Sequence, residues 1–153
     1  MFFKGEFYKK DKRKMMEKDL IYVDASCREN EDIGSWAVVT ENKQYSGLIG
    51  EKNLHSFYCE LYAVHQALLL SKESENVVIY CDNQGVVRML NKDMAEFTEV
   101  IDFSKKRDHN FLHEVYYSYQ DMPNVEICKI DRSNNKVADK VARNMLMKGV
   151  YTK

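Results

Sequence analysis

The stretches LIYVDASC (residues 20–27) and NVVIYCD (76–82) are apolar on both alternating faces, and each runs into an aspartate. A strand with one face in water alternates apolar and polar residues. A strand apolar on both sides belongs in the middle of a sheet covered by helices above and below. That requirement narrows the fold more than any other feature of the chain. With 153 residues, 44% of them hydrophobic, the chain can bury one substantial core and is too short for a second full domain.

Around these two runs the period of the sequence changes in a set order. IGSWAVVT (33–40) and QYSGLIG (44–50) flank the turn-forming ENK and read as a hairpin antiparallel to its neighbours, so the first three strands make a meander. From 54 to 70, Phe57, Leu61, Val64, Ala67 and Leu68 recur at helical spacing. After the second aspartate strand, 84–90 reads as a short helix and 96–120 as one long helix or two, stopped by Pro123. VEICKI (125–130) is a last strand, and 136–148 a last helix with Ala138, Val141, Ala142, Met145 and Leu146 facing inward. The order implies an α/β fold: a five-stranded mixed sheet, three antiparallel strands then two parallel, with helices on both faces.

This domain spans residues 20–150. Ahead of it, residues 1–19 hold Lys4, Lys9, Lys10, Lys12, Arg13, Lys14 and Lys18 against Glu6, Asp11, Glu17 and Asp19, a basic arm that reads as a solvated tail or a phosphate contact. Net charge is −1, so the chain is no polycation that would coat nucleic acid. Nothing approaches the length of a membrane span, and the opening residues lack the apolar centre of a secretion signal, which implies a cytoplasmic protein without a membrane partner. Cys27, Cys59, Cys81 and Cys128 show no CxxC spacing, as suits reduced thiols rather than a disulfide framework or a cysteine zinc site.

Asp24, Glu60, Asp82 and Asp139 each sit within an otherwise apolar segment. A carboxylate in a poorly solvated place shifts its pKa upward or meets a cation, and several together repel one another unless metal ions lie between them. Sites in open α/β sheets form at the carboxyl ends of strands. Asp24, on a face with Tyr22 and Ser26, and Asp82, on a face with Tyr80 and Val78, can meet there, with Glu60 brought over them by the helix that crosses between. Oxygen ligands in this number suit Mg²⁺ or Mn²⁺ and not zinc.

In this order and spacing, YVDASC, CELYAVHQAL, VIYCDN and NNKVADKVA resemble the four acidic motifs of the ribonuclease H family, over residues 20 to about 148. The resemblance implies a two-metal endonuclease hydrolysing the RNA strand of RNA/DNA hybrids, leaving 5′-phosphate and 3′-hydroxyl ends. Two Mg²⁺ ions, with Mn²⁺ as a substitute, would be held by Asp24, Glu60, Asp82 and Asp139, Asp24 bridging both. Ser26 and Asn83, beside the ligands, become candidate substrate contacts. No obligate protein partner is implied.

The chain departs from the best-known bacterial pattern. The loop histidine ten residues before the last aspartate is replaced by Lys129, and the loop reads DRSNNKVAD, similar to a family branch with an Arg-xx-Asn-xx-Ala-Asp signature. Arg132 and Asn135 match it and join the substrate-binding candidates; a helix-start role for Asn134 or Asn135 stays open. Lys105, Lys106 and Arg107 form only a short basic cluster. His109 and His113 have i, i+4 spacing without the glutamate of HExxH, so they read as ordinary helix histidines. Trp36, Tyr116, Tyr117 and Tyr119 read as packing residues, Tyr117 the most exposed. Two other readings are another nuclease of the superfamily with a different nucleic-acid substrate, and a non-catalytic nucleic-acid-binding protein of the same fold.

Overall fold

A computed structural model describes residues 18–100 and 106–151. The first strand, β1 (Asp19–Arg28), continues through a short 3₁₀ turn into β2 (Ile33–Val39) and β3 (Gln44–Gly50). Helix α1 (Ser56–Leu70) crosses to β4 (Val77–Cys81). Then come α2 (Gln84–Leu90), α3 (Met94–Val100), α4 (Lys106–Gln120), β5 (Val125–Lys129), a 3₁₀ turn at Arg132–Asn134 and α5 (Lys136–Tyr151). The strands lie in the order β3-β2-β1-β4-β5. The β1–β2 and β2–β3 pairs are antiparallel, and the β1–β4 and β4–β5 pairs parallel. This is the mixed sheet that the sequence pattern implies.

Alternation along the strands sorts side chains between two helical layers. Ile21, Val23, Val38, Ile79 and Ile127 share a buried cluster with Leu61, Val64 and Leu68 of α1 and with Leu112, Val115, Tyr116 and Tyr119 of α4. Burying a side chain of this kind stabilises by roughly 1.5–3 kcal/mol, so this cluster holds the sheet to its first helical layer. Helix α5 covers the opposite face of the three antiparallel strands, where buried Ser35 donates to the carbonyl of Ala142 at 2.5 Å. The tyrosines of α4 serve packing: Tyr116 stacks on Phe97 with centroids 3.7 Å apart, and the Tyr119 hydroxyl donates to Asn91 and accepts from the Ile127 amide. Tyr117 is only half-buried, as is Trp36.

Two boundaries differ from the sequence pattern. Strand β1 runs to Arg28, so Asp24 is inside it and not near its exit; what ends at Val23, beside Cys81, is its pairing with β4. Helix α1 starts at Ser56 because His55, in extended conformation, caps it by accepting from the Tyr58 amide. The span 96–120, read as one long helix or two, is two: α3 and α4. Residues 1–17 of the basic arm, and Lys105, lie outside the described residues, while Lys106 and Arg107 open α4.

Candidate metal centre

The mismatch in length between β1 and β4 makes the site. The register puts Val23 beside Cys81, and the next step sets Asp24 against Asp82 just past the end of β4. Beyond this point β1 has no parallel neighbour, and the two helical layers face each other across the notch. Glu60 enters it from α1 and Asp139 from α5. All four acids line one cavity of about 270 Å³, together with Ser26, Cys27, Cys59, Asn83 and Arg132.

One carboxylate oxygen each from Asp24, Glu60 and Asp82 lies within 4.8 Å of the other two. Asp24 is 4% exposed and Glu60 8%. Burial drives the Asp24 carboxyl up to about 6, with the charges of Asp82 and Asp139 adding to the rise; hydrogen bonds from Glu60 and from the Ala25 amide, at 2.8 Å, restrain it. Glu60 is pushed up to about 10, first by burial and then by the Asp24 charge. The pair therefore shares a proton at neutral pH. Three carboxylates in so little solvent form a site that a hard divalent cation relieves, and the oxygen-only donor set fits Mg²⁺ or Mn²⁺.

The structure separates the remaining candidates. Asp139 reaches the cavity wall but stands apart from the group of three; its carboxylate is paired with the Arg143 guanidinium one helical turn on. Ser26 and Arg132 face the cavity, and Asn83 does so while its side-chain oxygen caps α2 by accepting from the Val86 amide at 3.0 Å. Asn135 has a different place from that of a substrate contact. It is 1% exposed, and its amide donates to the Val23 carbonyl at 2.8 Å and to the Asp82 carboxylate at 3.0 Å. It thus ties the start of α5 to β1 and orients Asp82. A buried asparagine four residues before an aspartate gives no sequence signal of that bond. Arg143 was within reach of sequence reasoning, since i, i+4 acid–base pairs meet on a helix.

Fold and site together define an α/β protein of ribonuclease H-like architecture with an acidic cavity past its central parallel strands. The sequence profile of the RNase H family matches residues 16–147, and the chain belongs to that family. A ribonuclease H and a ribonuclease HI from Campylobacter jejuni strains are each 31% identical over 74 residues, 47% of this chain and 51% of theirs. The chain thus aligns with about half the length of these relatives. Among solved structures, the ribonuclease H1 LC11, isolated from compost by a metagenomic approach, aligns with a TM-score of 0.70 at 20% identity, over 87% of this chain and 98% of that one. Ribonuclease H1 of the archaeon Halobacterium salinarum aligns at 0.59 and 17%, over 86% and 99%. LC11 has also been solved in complex with an RNA/DNA hybrid, and that structure aligns at 0.64 and 21%, over 86% and 99%.

Proposed function

We propose that this protein is a divalent-metal-dependent endonuclease that hydrolyses the RNA strand of RNA/DNA hybrids, leaving 5′-phosphate and 3′-hydroxyl ends. The observation that carries the reading is the convergence of Asp24, Glu60 and Asp82 within 4.8 Å, from three separate elements, in a cavity that Asp139 also lines. A structural role would not gather repelling acids at a sheet end, and family membership supplies the reaction class.

Asp24, Glu60 and Asp82 would hold one cation, and Asp24 with Asp139 a second. Bound cations would supply Lewis-acid stabilisation of the phosphodiester under attack. The chain's own residues do the rest. Asn135 fixes the Asp82 carboxylate through a 3.0 Å hydrogen bond. Arg132, exposed on the cavity rim, would offer a guanidinium fork to a backbone phosphate, and the Ser26 hydroxyl and Asn83 amide, which line the same cavity, would be further contacts. Asp139 would offer a cation its second carboxylate oxygen, Arg143 being paired with the first. With a net charge of −1, the protein gains no long-range attraction to its polyanionic substrate, so binding rests on local contacts.

The test offers labelled RNA/DNA hybrid, duplex RNA, single-stranded RNA and duplex DNA to the wild type and to Asp82→Asn, with Mg²⁺, Mn²⁺ or chelator. Hybrid-only, metal-dependent cutting that falls by about 10²-fold or more in the variant is expected, as for loss of a group that stabilises the transition state electrostatically. Equal hybrid binding without cutting by either protein would make this a binding module. Preference for another substrate would move it elsewhere in the superfamily.

A further inference from the structure

Two thiols line the acidic cavity. Cys27 follows Asp24 by three residues, and Cys59 immediately precedes Glu60. They are far apart in the chain, yet both line the acidic cavity, and both belong to one small cluster with Ile49, Leu54 and Tyr58.

The backbone brings them together. Cys27 pairs across the antiparallel ladder with Gly34, so the two residues lie on the same face of the sheet. The Cys59 sulfur occupies the space above Gly34, where an added Cβ would come within 2.6 Å of it. A glycine opposite Cys27 thus leaves room for the second sulfur beside the first, and the two thiols interact side chain to side chain. Cys59 is fully buried, whereas Cys27 is partly open to the cavity, so a reagent entering the cleft meets Cys27 first.

We propose that Cys27 and Cys59 form a dithiol modification site in the cleft, one that a low-molecular-weight disulfide converts to an intrachain disulfide and so closes the metal centre. The Cys27 thiol loses its proton and attacks the reagent, giving a mixed disulfide and one released thiol. Cys59 then loses its proton and attacks the Cys27 sulfur, expelling the second. The sum is two protein thiols and one disulfide giving one protein disulfide and two small thiols. The new bond would tie β1 to α1 between the residues that carry Asp24 and Glu60. Drawing the two sulfurs to bonding distance, about 2.0 Å, would shift α1 against β1 and displace Glu60 relative to Asp24. Misplacement on the 1 Å scale lowers catalysis by about 10²-fold. Burial raises both thiols above the ordinary cysteine range, so exchange is slow and the incubation is an overnight one.

The reduced protein would be incubated with glutathione disulfide, digested without reductant and mapped by mass spectrometry, with divalent-ion binding measured by calorimetry and hybrid cleavage assayed alongside. A linked peptide pair containing Cys27 and Cys59, loss of ion binding by at least about tenfold, and recovery with dithiothreitol are expected. Cys27→Ser and Cys59→Ser should prevent both the link and the loss, while Cys128→Ser should leave them intact. Free thiols after incubation, a glutathione adduct on Cys27 without the link, or a link that leaves ion binding unchanged would each overturn the proposal. Peptide map and calorimetry do not depend on substrate, so a reduced protein that fails to cut hybrid counts against the nuclease reading alone.

Discussion

Asn135 is the residue on which the two roles considered for the loop before Asp139 part company. Its amide hydrogens are spent on Val23 and Asp82, and its side-chain oxygen is buried without a partner among the described residues. Asn135→Ala would leave the Val23 carbonyl and one Asp82 oxygen without their donor. Removing a buried partner costs about 1–3 kcal/mol, and losing the group that orients a metal-binding carboxylate lowers metal affinity by about 10- to 100-fold. We expect Asn135→Ala to bind Mg²⁺ or Mn²⁺ more weakly in calorimetry with no nucleic acid present. A residue that acted only on substrate would leave that number unchanged. For Arg132, exposed on the rim, the expectation is reversed: Arg132→Ala should weaken hybrid binding and flatten its salt dependence by about one phosphate contact while leaving ion affinity alone.

At the scale of elements, the site depends on how closely α1 approaches the hairpin. A Cβ at Gly34 would meet the Cys59 sulfur at 2.6 Å, a Leu54 methyl at 3.0 Å and the Ser26 carbonyl at 3.1 Å. Gly34→Ala must push α1 and its Glu60 away from β1, and overpacking of this kind destabilises by about 1–3 kcal/mol. Chemical denaturation should show that loss, and Cys59→Ala in the same chain should recover part of it. If the double variant is no more stable than Gly34→Ala alone, the contact is not what holds the helix at this distance.

The same contact shows what was legible in advance and what was not. The strands, the crossover helix and the four acids announce themselves through period and through charge in apolar surroundings, both local properties of sequence. The site's position also followed, because Asp24 and Asp82 end the apolar parts of their runs. Hidden from view was everything set by register. That β1 outlasts its pairing with β4, that Gly34 stands opposite Cys27, and that Asn135 reaches Val23 across 112 residues are consequences of how distant segments align. The capping of α1 by His55 was missed for a different reason. Its ring nitrogen Nε2 is engaged by Asp108 of α4 at 2.5 Å while Nδ1 accepts from the Tyr58 amide, so a residue outside the usual N-cap set is held in place by a distant element.

For the whole molecule, the acidic site should appear in the pH dependence of stability. The unfolded carboxyls titrate near 4. In the folded protein Asp24 is raised to about 6 and Glu60 to about 10, both through burial first and repulsion second. Between the unfolded and folded values the native state holds more protons than the unfolded chain, so stability falls as pH rises. The contribution is fully present below about pH 4; the Asp24 share is lost by about pH 6, and the Glu60 share declines through the neutral range by up to about 1.4 kcal/mol per pH unit. A bound divalent cation opposes this trend, because it takes the place of the shared proton and stabilises by about 2.7 kcal/mol at a hundredfold excess over its Kd. Thermal melts of wild type and Glu60→Gln from pH 5 to pH 8, each with chelator and with Mg²⁺, separate these effects from every other titrating group. With chelator, the variant should overtake the wild type as pH rises; with Mg²⁺, only the wild type should gain. Parallel curves for the two proteins in chelator would mean that Glu60 is solvated in solution and that the site carries no stored repulsion for a cation to relieve.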